Sequence, residues 1–364
     1  MTVDQLPEIG FYGLAGGPTT PAPLLDEVRL AEDLGFGSCF LSERFNVKEA
    51  ATLCGAVGAA STTLGIATAA TNHNTRHPQV TASMATTMHR LTGGRFTLGL
   101  GRGIAALQDA YGLEPITTAG LEDAADVLRR LWHGEAIFGH DGALGSYPVL
   151  HLDSTFDEDI PLLLVAFGPQ SLALAGRSFD AVVLHTFFTD ETTARAVATV
   201  RRAAEEAGRD PDAVRIWSCF ATVPDTIDEP TRLVRTVGRL ATYLQGYGDL
   251  LVRTNGWDQA VLERFRSDPL VATFPGAIDV LATTEQLEHL ATILPTSWLE
   301  ASATGSAERC AASVAAQFDL GVDGVILHGS PPADLAPVLP AYREVRDPSR
   351  AAGLGPNPGR ARRT

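Results

Sequence analysis

Leu64-Gly65-Ile66-Ala67-Thr68, running on to Thr71, and Arg95-Phe96-Thr97-Leu98-Gly99-Leu100 are the two stretches that decide the fold. Each is a short, largely apolar run without polar alternation, the pattern of a strand covered on both faces. Between them, Gln79 to Leu91 has the spacing of a helix, and Gly93-Gly94 closes it. Strand, helix and strand in direct succession form a βαβ unit, which implies a parallel sheet.

The same rhythm continues on both sides. Upstream, Glu8 to Leu14 and Gly37 to Leu41 read as strands, and Leu24 to Leu34 and Glu49 to Ala60 as helices. Downstream, Leu121, Ala124, Leu128 and Leu131 mark one face of a helix from Gly120 to His133. Pro161 to Ala166, Ala181 to His185, Val214 to Ala221 and Gly324 to Leu327 are further strands. Helices follow at Gln170 to Arg177, Glu191 to Ala207, Ala307 to Phe318 (with Ser306 as N-cap) and Leu335 to Arg343. Eight strands, each followed by helix, predict the α/β class and a (β/α)8 TIM barrel. Residues 224–299 hold helical pieces and no clear strand, so they read as a helical insertion between strands 7 and 8. Two domains would need a polar linker near the middle, and none lies between Ala181 and Arg209. Residues 1–346 therefore form one domain. Residues 347–364, rich in Pro, Gly and Arg, are expected to be a disordered tail.

Composition narrows the function. The chain has 364 residues and a formal charge of −15. Such a surface repels nucleic acid and anionic membranes, and any phosphate site must be built locally. A small-molecule substrate is the expected partner. Lys48 is the one lysine among 28 basic residues. Cys39, Cys54, Cys219 and Cys310 are scattered, which fits buried thiols in a reducing cytoplasm and not a zinc or disulfide framework. No histidine pair has the spacing of a metal site, so no metal is expected. The start of the chain carries no basic stretch followed by an apolar core, so no signal peptide is expected. The uncharged run from Ala51 to Asn72 is made of small residues and reads as helix plus strand, not a membrane span.

Barrel chemistry sits at the C-terminal ends of the strands. That rule nominates Ser42-Glu43-Arg44 after strand 2, Thr71 to His77 after strand 3 and Gly99 to Gly103 after strand 4. It adds Phe167 to Gln170, His185 and His328 after strands 5, 6 and 8. The glycines at 99, 101 and 103 either bring the backbone close to a flat ligand or only bend the strand. Gly168-Pro169-Gln170-Ser171 opens a helix, whose free N–H groups suit a phosphate. The plain alternative there is a strand-to-helix turn. His77, beside Pro78, is either a cofactor contact or a helix cap.

Taken together, these residues resemble the luciferase-like monooxygenase superfamily in its coenzyme F420-dependent branch. The likeness runs from about Gly10 to Tyr342 and is carried by the two opening stretches, Arg76-His77-Pro78, Ala166-Phe167-Gly168-Pro169 and Gly321-Val322-Asp323-Gly324-Val325-Ile326-Leu327. The resemblance implies an oxidoreductase whose barrel mouth holds the deazaflavin coenzyme F420, with FMN and monooxygenase chemistry as the alternative and a non-catalytic flavin-binding barrel as the second alternative. It implies a non-proline cis peptide at Thr68-Ala69. It places Thr68, Ala69, Thr71, Gly101 and Gly103 around the ring, and Ala166, Gly168, Pro169, Gln170, Ser171 and His185 around the phosphate. A homodimer is the usual assembly. Deazaflavin members carry Asp-His after strand 2, and some carry Glu where this chain has Ile104. Glu43-Arg44 replaces the first pair, which nominates Glu43 as an acid, or Arg44 as an anchor for an anionic substrate or a stabiliser of developing charge; the plain alternative for both is a buried ion pair that shapes the loop. Tyr243, Tyr247, Trp257, Phe274 and Trp298 either line the insertion's side of the mouth or belong to a core.

Overall fold

The computed structural model describes residues 4–45 and 47–361. Eight parallel strands close on themselves: β1 (Leu6–Tyr12), β2 (Phe36–Leu41), β3 (Gly65–Thr68), β4 (Phe96–Leu100), β5 (Leu162–Val165), β6 (Ala181–Val183), β7 (Arg215–Pro224) and β8 (Gly324–His328). The ring shuts where β8 returns to β1, with Ile9 opposite Val325 and Phe11 opposite Leu327. The outer helices are α1 (Leu24–Leu34), α2 (Ala50–Ala60), α3 (Pro78–Leu91), α4 (Thr118–Trp132), α5 (Pro169–Ser178), α6 (Asp190–Glu206), α7 (Ala307–Asp319) and α8 (Val338–Val345). The (β/α)8 TIM barrel read from the sequence is the architecture found.

The continuous apolar strands have a simple cause. Phe40, Ala67, Leu163, Val183, Trp217 and Ile326 point into the barrel, while Ile66, Phe96, Leu98 and Leu164 point outward against the helices. Both faces are dry, so neither can be polar.

The insertion lies between β7 and α7. Its main helices span Glu229–Leu233, Arg239–Asn255, Gln259–Ser267 and Thr284–Ile293. Leu240, Leu244, Leu262, Phe265, Leu287 and Leu290 give it a core of its own. It ends in a short strand, Ala303–Gly305, that pairs in parallel with β7 and that the sequence did not reveal. An antiparallel hairpin, Ile137–Gly142 with Gly145–Leu150, also escaped the sequence reading. It faces solvent, with Phe138 76% exposed, so it carries no clean apolar alternation.

The tail corrects an expectation. Residues 348–351 form a 3-10 turn, and Asn357, Pro358 and Gly359 are buried under the N-terminal end of the barrel. Residues 362–364 lie outside the described residues. The Asn357 amide donates to the carbonyls of Gly94 (2.6 Å) and Phe96 (2.9 Å). Its oxygen accepts from Thr97 Oγ1 (2.6 Å) and the Gly359 N–H (2.8 Å). Pro358 O accepts from the indole N–H of Trp217 at 2.8 Å. Asn357 O accepts from buried Arg215 at 2.9 Å. The segment needs no apolar core, because what it supplies is partners for polar groups already buried in the barrel floor. Among the described residues no helix is long and apolar enough to cross a membrane. No group of three or more His, Cys, Asp or Glu among them is placed to hold a metal.

Candidate active site

The floor of the barrel mouth is made by Tyr12, Ala69, Val165 and Cys219, which cap the interior layer. The Tyr12 hydroxyl donates to Ala69 O at 3.1 Å. The cis peptide is Ala69-Ala70, one bond later than the resemblance placed it. Regular β2–β3 pairing reaches Leu41–Thr68, and the Ala69 N–H still bonds Leu41 O at 2.7 Å, so the strand geometry extends past Thr68.

Two of the expected ring contacts are spoken for inside the protein. Thr68 is fully buried, and its hydroxyl donates to Gly99 O (2.8 Å) while accepting from Gly99 N (2.7 Å). The Thr71 hydroxyl donates to Glu43 and accepts from Arg76 at 2.8 Å. Gly99 is glycine because a Cβ there would sit 1.8 Å from Thr68 O; it is a strand-packing residue. Gly101 does look onto the mouth: an added Cβ would meet the Ala70 Cβ at 2.8 Å and the Val165 Cβ at 3.7 Å. Gly103 turns with φ 67°, a value that favours glycine, and its neighbour Gln108 would clash with any side chain there.

Glu43 is held from two sides. Both of its carboxylate oxygens receive N–H groups of Arg76, a residue 33 positions away that no local pattern pairs with it. Arg76 also bridges to Glu49, the N-cap of α2. A bidentate guanidinium pair fixes a carboxylate in place and occupies its lone pairs, so Glu43 sits as an anchor for the β2 and β3 loops. Arg44 is exposed and makes no side-chain hydrogen bond among the described residues. His77 caps α3, its Nδ1 accepting from the Gln79 N–H at 3.3 Å.

On the far side, Ala166 continues β5 by donating its N–H to Val183 O at 3.0 Å. Gly168 then caps α5 with no side-chain acceptor, Pro169 opens the helix, and the first-turn N–H groups of Gln170 and Ser171 have no capping side chain. Arg102 lies in the stretch nominated after strand 4, but the sequence assigned its side chain no role. Its Nε donates to Ser171 Oγ at 3.1 Å, which brings a guanidinium to the start of α5. Its position within the glycine run after β4 was the available signal. Its other nitrogens donate to Ile116 O at 2.7 Å and to Thr118 Oγ1, so the guanidinium is fixed there as a nearby charge. The helix N-terminus and the Ser171 hydroxyl beside it form a candidate oxyanion cradle.

His185 lies half-buried behind the cradle. Its ring stacks on Phe167 (4.2 Å, 8°), Nδ1 faces Thr186 O at 2.7 Å, and Nε2 faces the Tyr247 hydroxyl at 2.9 Å. A carbonyl only accepts, so Nδ1 carries the proton and Nε2 accepts from Tyr247. Tyr243 and Tyr247 come from the inserted helix Arg239–Asn255, which breaks at Tyr247 (φ −155°, ψ 37°) between Gly246 and Gly248. Of the five aromatics nominated for the mouth or a core, these two line the mouth. Trp257 and Trp298 stack on each other (4.4 Å, 8°) and join Phe274 in the insertion's own core.

Desolvation lowers His185 to about 4 from its usual 6.5, and His328 shifts the same way. A histidine held neutral contributes stability that is present above its unfolded value and is lost as pH falls from 6.5 toward 4. His185 alone accounts for about 3 kcal/mol over that window. The thermal midpoint is expected to fall between pH 7 and pH 4.5, and His185→Gln to flatten that dependence; an unchanged slope in the variant would exclude His185 as its source.

Comparison with known proteins places the chain in a family and bears out its fold. The family model described as luciferase-like monooxygenase matches residues 8–324. The 5,10-methylenetetrahydromethanopterin reductase of Methanolobus tindarius is 25% identical over 88% of this chain and 94% of its own length. The F420-dependent glucose-6-phosphate dehydrogenase of Microbacterium testaceum is 27% identical over 70% of this chain and 81% of its own. Among solved structures, the coenzyme F420-dependent tetrahydromethanopterin reductase of Methanopyrus kandleri superposes with a TM-score of 0.75, at 19% identity, over 93% of this chain and 98% of that one.

Proposed function

The chain belongs to the luciferase-like monooxygenase family, and from that premise we propose that it is an oxidoreductase that moves a hydride between coenzyme F420 and a small organic substrate. The observation that carries this reading is the uncapped start of α5 with Arg102 beside it, facing a mouth floored by Ala69, Gly101 and Val165. These residues fit a flat ring joined to a phosphate: Gly101 leaves a face on which any Cβ would crowd Ala70, and the first-turn N–H groups of α5 have no side-chain cap.

In this reading Gly168, Pro169, Gln170 and Ser171 hold the phosphate through backbone N–H groups and the Ser171 hydroxyl, with Arg102 adding charge. Gly101, Ala69 and Ala70 receive the ring. When bound, the deazaflavin supplies the two-electron hydride chemistry. Tyr243, Tyr247 and Phe167 keep water from the mouth, and the neutral His185 fixes Tyr247 in place. Glu43 positions the β2 loop and leaves Arg44 beside the mouth as a substrate anchor. The curated relative named for F420 supports the cofactor, and FMN with monooxygenase chemistry is the second reading because the family is named for it. A homodimer is part of the proposal, checked by light scattering.

The experiment is direct turnover. Purified protein is expected to oxidise reduced F420, or reduce F420, with a member of an alcohol, ketone and imine panel under anaerobic conditions. Oxygen-dependent turnover of reduced FMN, without any F420 turnover, would favour the second reading.

A further inference from the structure

The mouth has a second charged side. Arg44 and Lys48 lie in the loop after β2, joined by an antiparallel bridge in which Arg44 N donates to Lys48 O at 2.9 Å. Lys48 is buried, 6% exposed, and its ammonium donates to Leu14 O, just past β1. Arg239, from the inserted helix, reaches the same place with its guanidinium 5.9 Å from the centre of the Tyr243 ring. At the centre stands His328, the last residue of β8, edge-on to Tyr12 at 5.3 Å. Arg239, Arg44 and Lys48 all act on the His328 ring electrostatically.

Negative charge is short here, in a chain whose formal charge is −15. Arg239 has one carboxylate partner among the described residues, Asp279 at 2.7 Å. Glu27 faces Lys48 from α1, but its carboxylate already accepts the Leu14 N–H at 2.7 Å. Arg44 has no acidic partner among the described residues. Two buried polar atoms, His328 Nδ1 and Arg239 Nε, have no hydrogen-bond partner there either. Like charges brought together in a partly dry site repel one another. Lys48 records that repulsion: burial first, then Arg44 and Arg239, push its ammonium down to about 8 from 10.5. The cluster lies at β1, β2 and β8, whereas the phosphate cradle lies at β4 and β5.

We propose that Arg44, Lys48, Arg239 and His328 form an oxyanion subsite, and that the substrate of this enzyme carries a carboxylate or phosphate bound there. The proposal rests on the hydride-transfer reading for the identity of the mouth, but not on which flavin fills it. The anion supplies negative charge and accepts from Arg239 Nε, and from His328 Nδ1 in the tautomer that carries its proton there. Tyr12, which contacts both His328 and Ala69, links the subsite to the floor of the ring site.

The single lysine makes the test clean. Protein grown on lysine labelled with carbon-13 at Cε gives one side-chain signal, that of Lys48. Its pH titration is expected to have a midpoint near 8 in the free protein. Millimolar inorganic phosphate or glutarate is expected to raise the midpoint toward 10.5 in a saturable way, while sodium chloride of equal ionic strength has a much smaller effect. Arg44→Gln, at an exposed position, and Arg239→Gln are each expected to raise the free midpoint and weaken the oxyanion response about tenfold. No saturable response to either oxyanion overturns the proposal. So does a signal that moves on adding F420 alone and then ignores phosphate, since the cluster would then hold the cofactor's acidic tail. An intact response in a protein that binds no F420 would sink the deazaflavin reading and leave the subsite standing.

Discussion

Asn357→Ala is expected to destabilise the protein by about 3 kcal/mol, although the residue lies in a Pro- and Gly-rich tail far from the mouth. Its side chain makes four hydrogen bonds, two given and two received, all inside the barrel floor. Alanine removes one amide, takes the side-chain donor from the Gly94 and Phe96 carbonyls and leaves the Thr97 hydroxyl, which still accepts the Gly359 N–H at 2.9 Å, without its acceptor, in a space where water has little access. A buried group left without a partner costs about 1–3 kcal/mol, and here several are stranded at once. Asn357→Asp is expected to cost as much, because a carboxylate would point an oxygen at two carbonyls that need a donor. Ala352→Ser, at an exposed position in the same tail, is expected to be neutral within about 0.5 kcal/mol. Thermal or urea midpoints decide. A loss for Asn357→Ala no larger than that for Ala352→Ser would mean the tail does not clamp the barrel.

The second large effect is on binding. Gly168→Asp is expected to weaken cofactor affinity on the order of 100-fold while leaving stability equal or slightly higher. Gly168 has φ −92° and ψ 168°, ordinary extended backbone open to any residue. An added Cβ would meet nothing nearer than Leu250 Cδ1 at 4.0 Å, so the change is sterically cheap. Aspartate is a good N-cap, and it would take up the first-turn N–H groups of α5. Those are the groups assigned to the phosphate, and the new carboxylate would repel that phosphate besides. The opposed signs make the test specific: a general folding defect lowers both quantities, whereas loss of the cradle lowers only one. Gly168→Ser, which caps without charge, is expected to fall between the two.

Much of the barrel could be read from the sequence because its strands are buried on both faces. Short, continuous apolar runs such as 162–165 and 324–327, each set between helical segments, suit a doubly covered parallel strand and little else. The glycines at 101 and 168 were legible through their places at strand ends. What escaped depends on partners distant in sequence. Glu43 read either as an acid or as one half of a loop-shaping ion pair, and its partner proved to be Arg76, 33 positions away, and not the adjacent Arg44. Thr68 and Thr71 looked available until their hydroxyls turned inward. The tail looked disordered because composition reports the lack of a core, and says nothing of a segment that satisfies someone else's polar groups. Arg239 could be placed at the mouth only once the inserted helix was seen to fold over it. Lys48 was visible as the one lysine, but its burial was not.

The claim on which the rest depends is that the mouth holds a deazaflavin by its phosphate at the start of α5. Equilibrium binding of F420 and of FMN to the wild-type chain and to Gly168→Asp, followed by cofactor fluorescence, tests it most directly. The account predicts that F420 binds the wild type more tightly than FMN does, and that Gly168→Asp loses most of that affinity. F420 binding that Gly168→Asp leaves unchanged, or no binding of F420 at all, would contradict it.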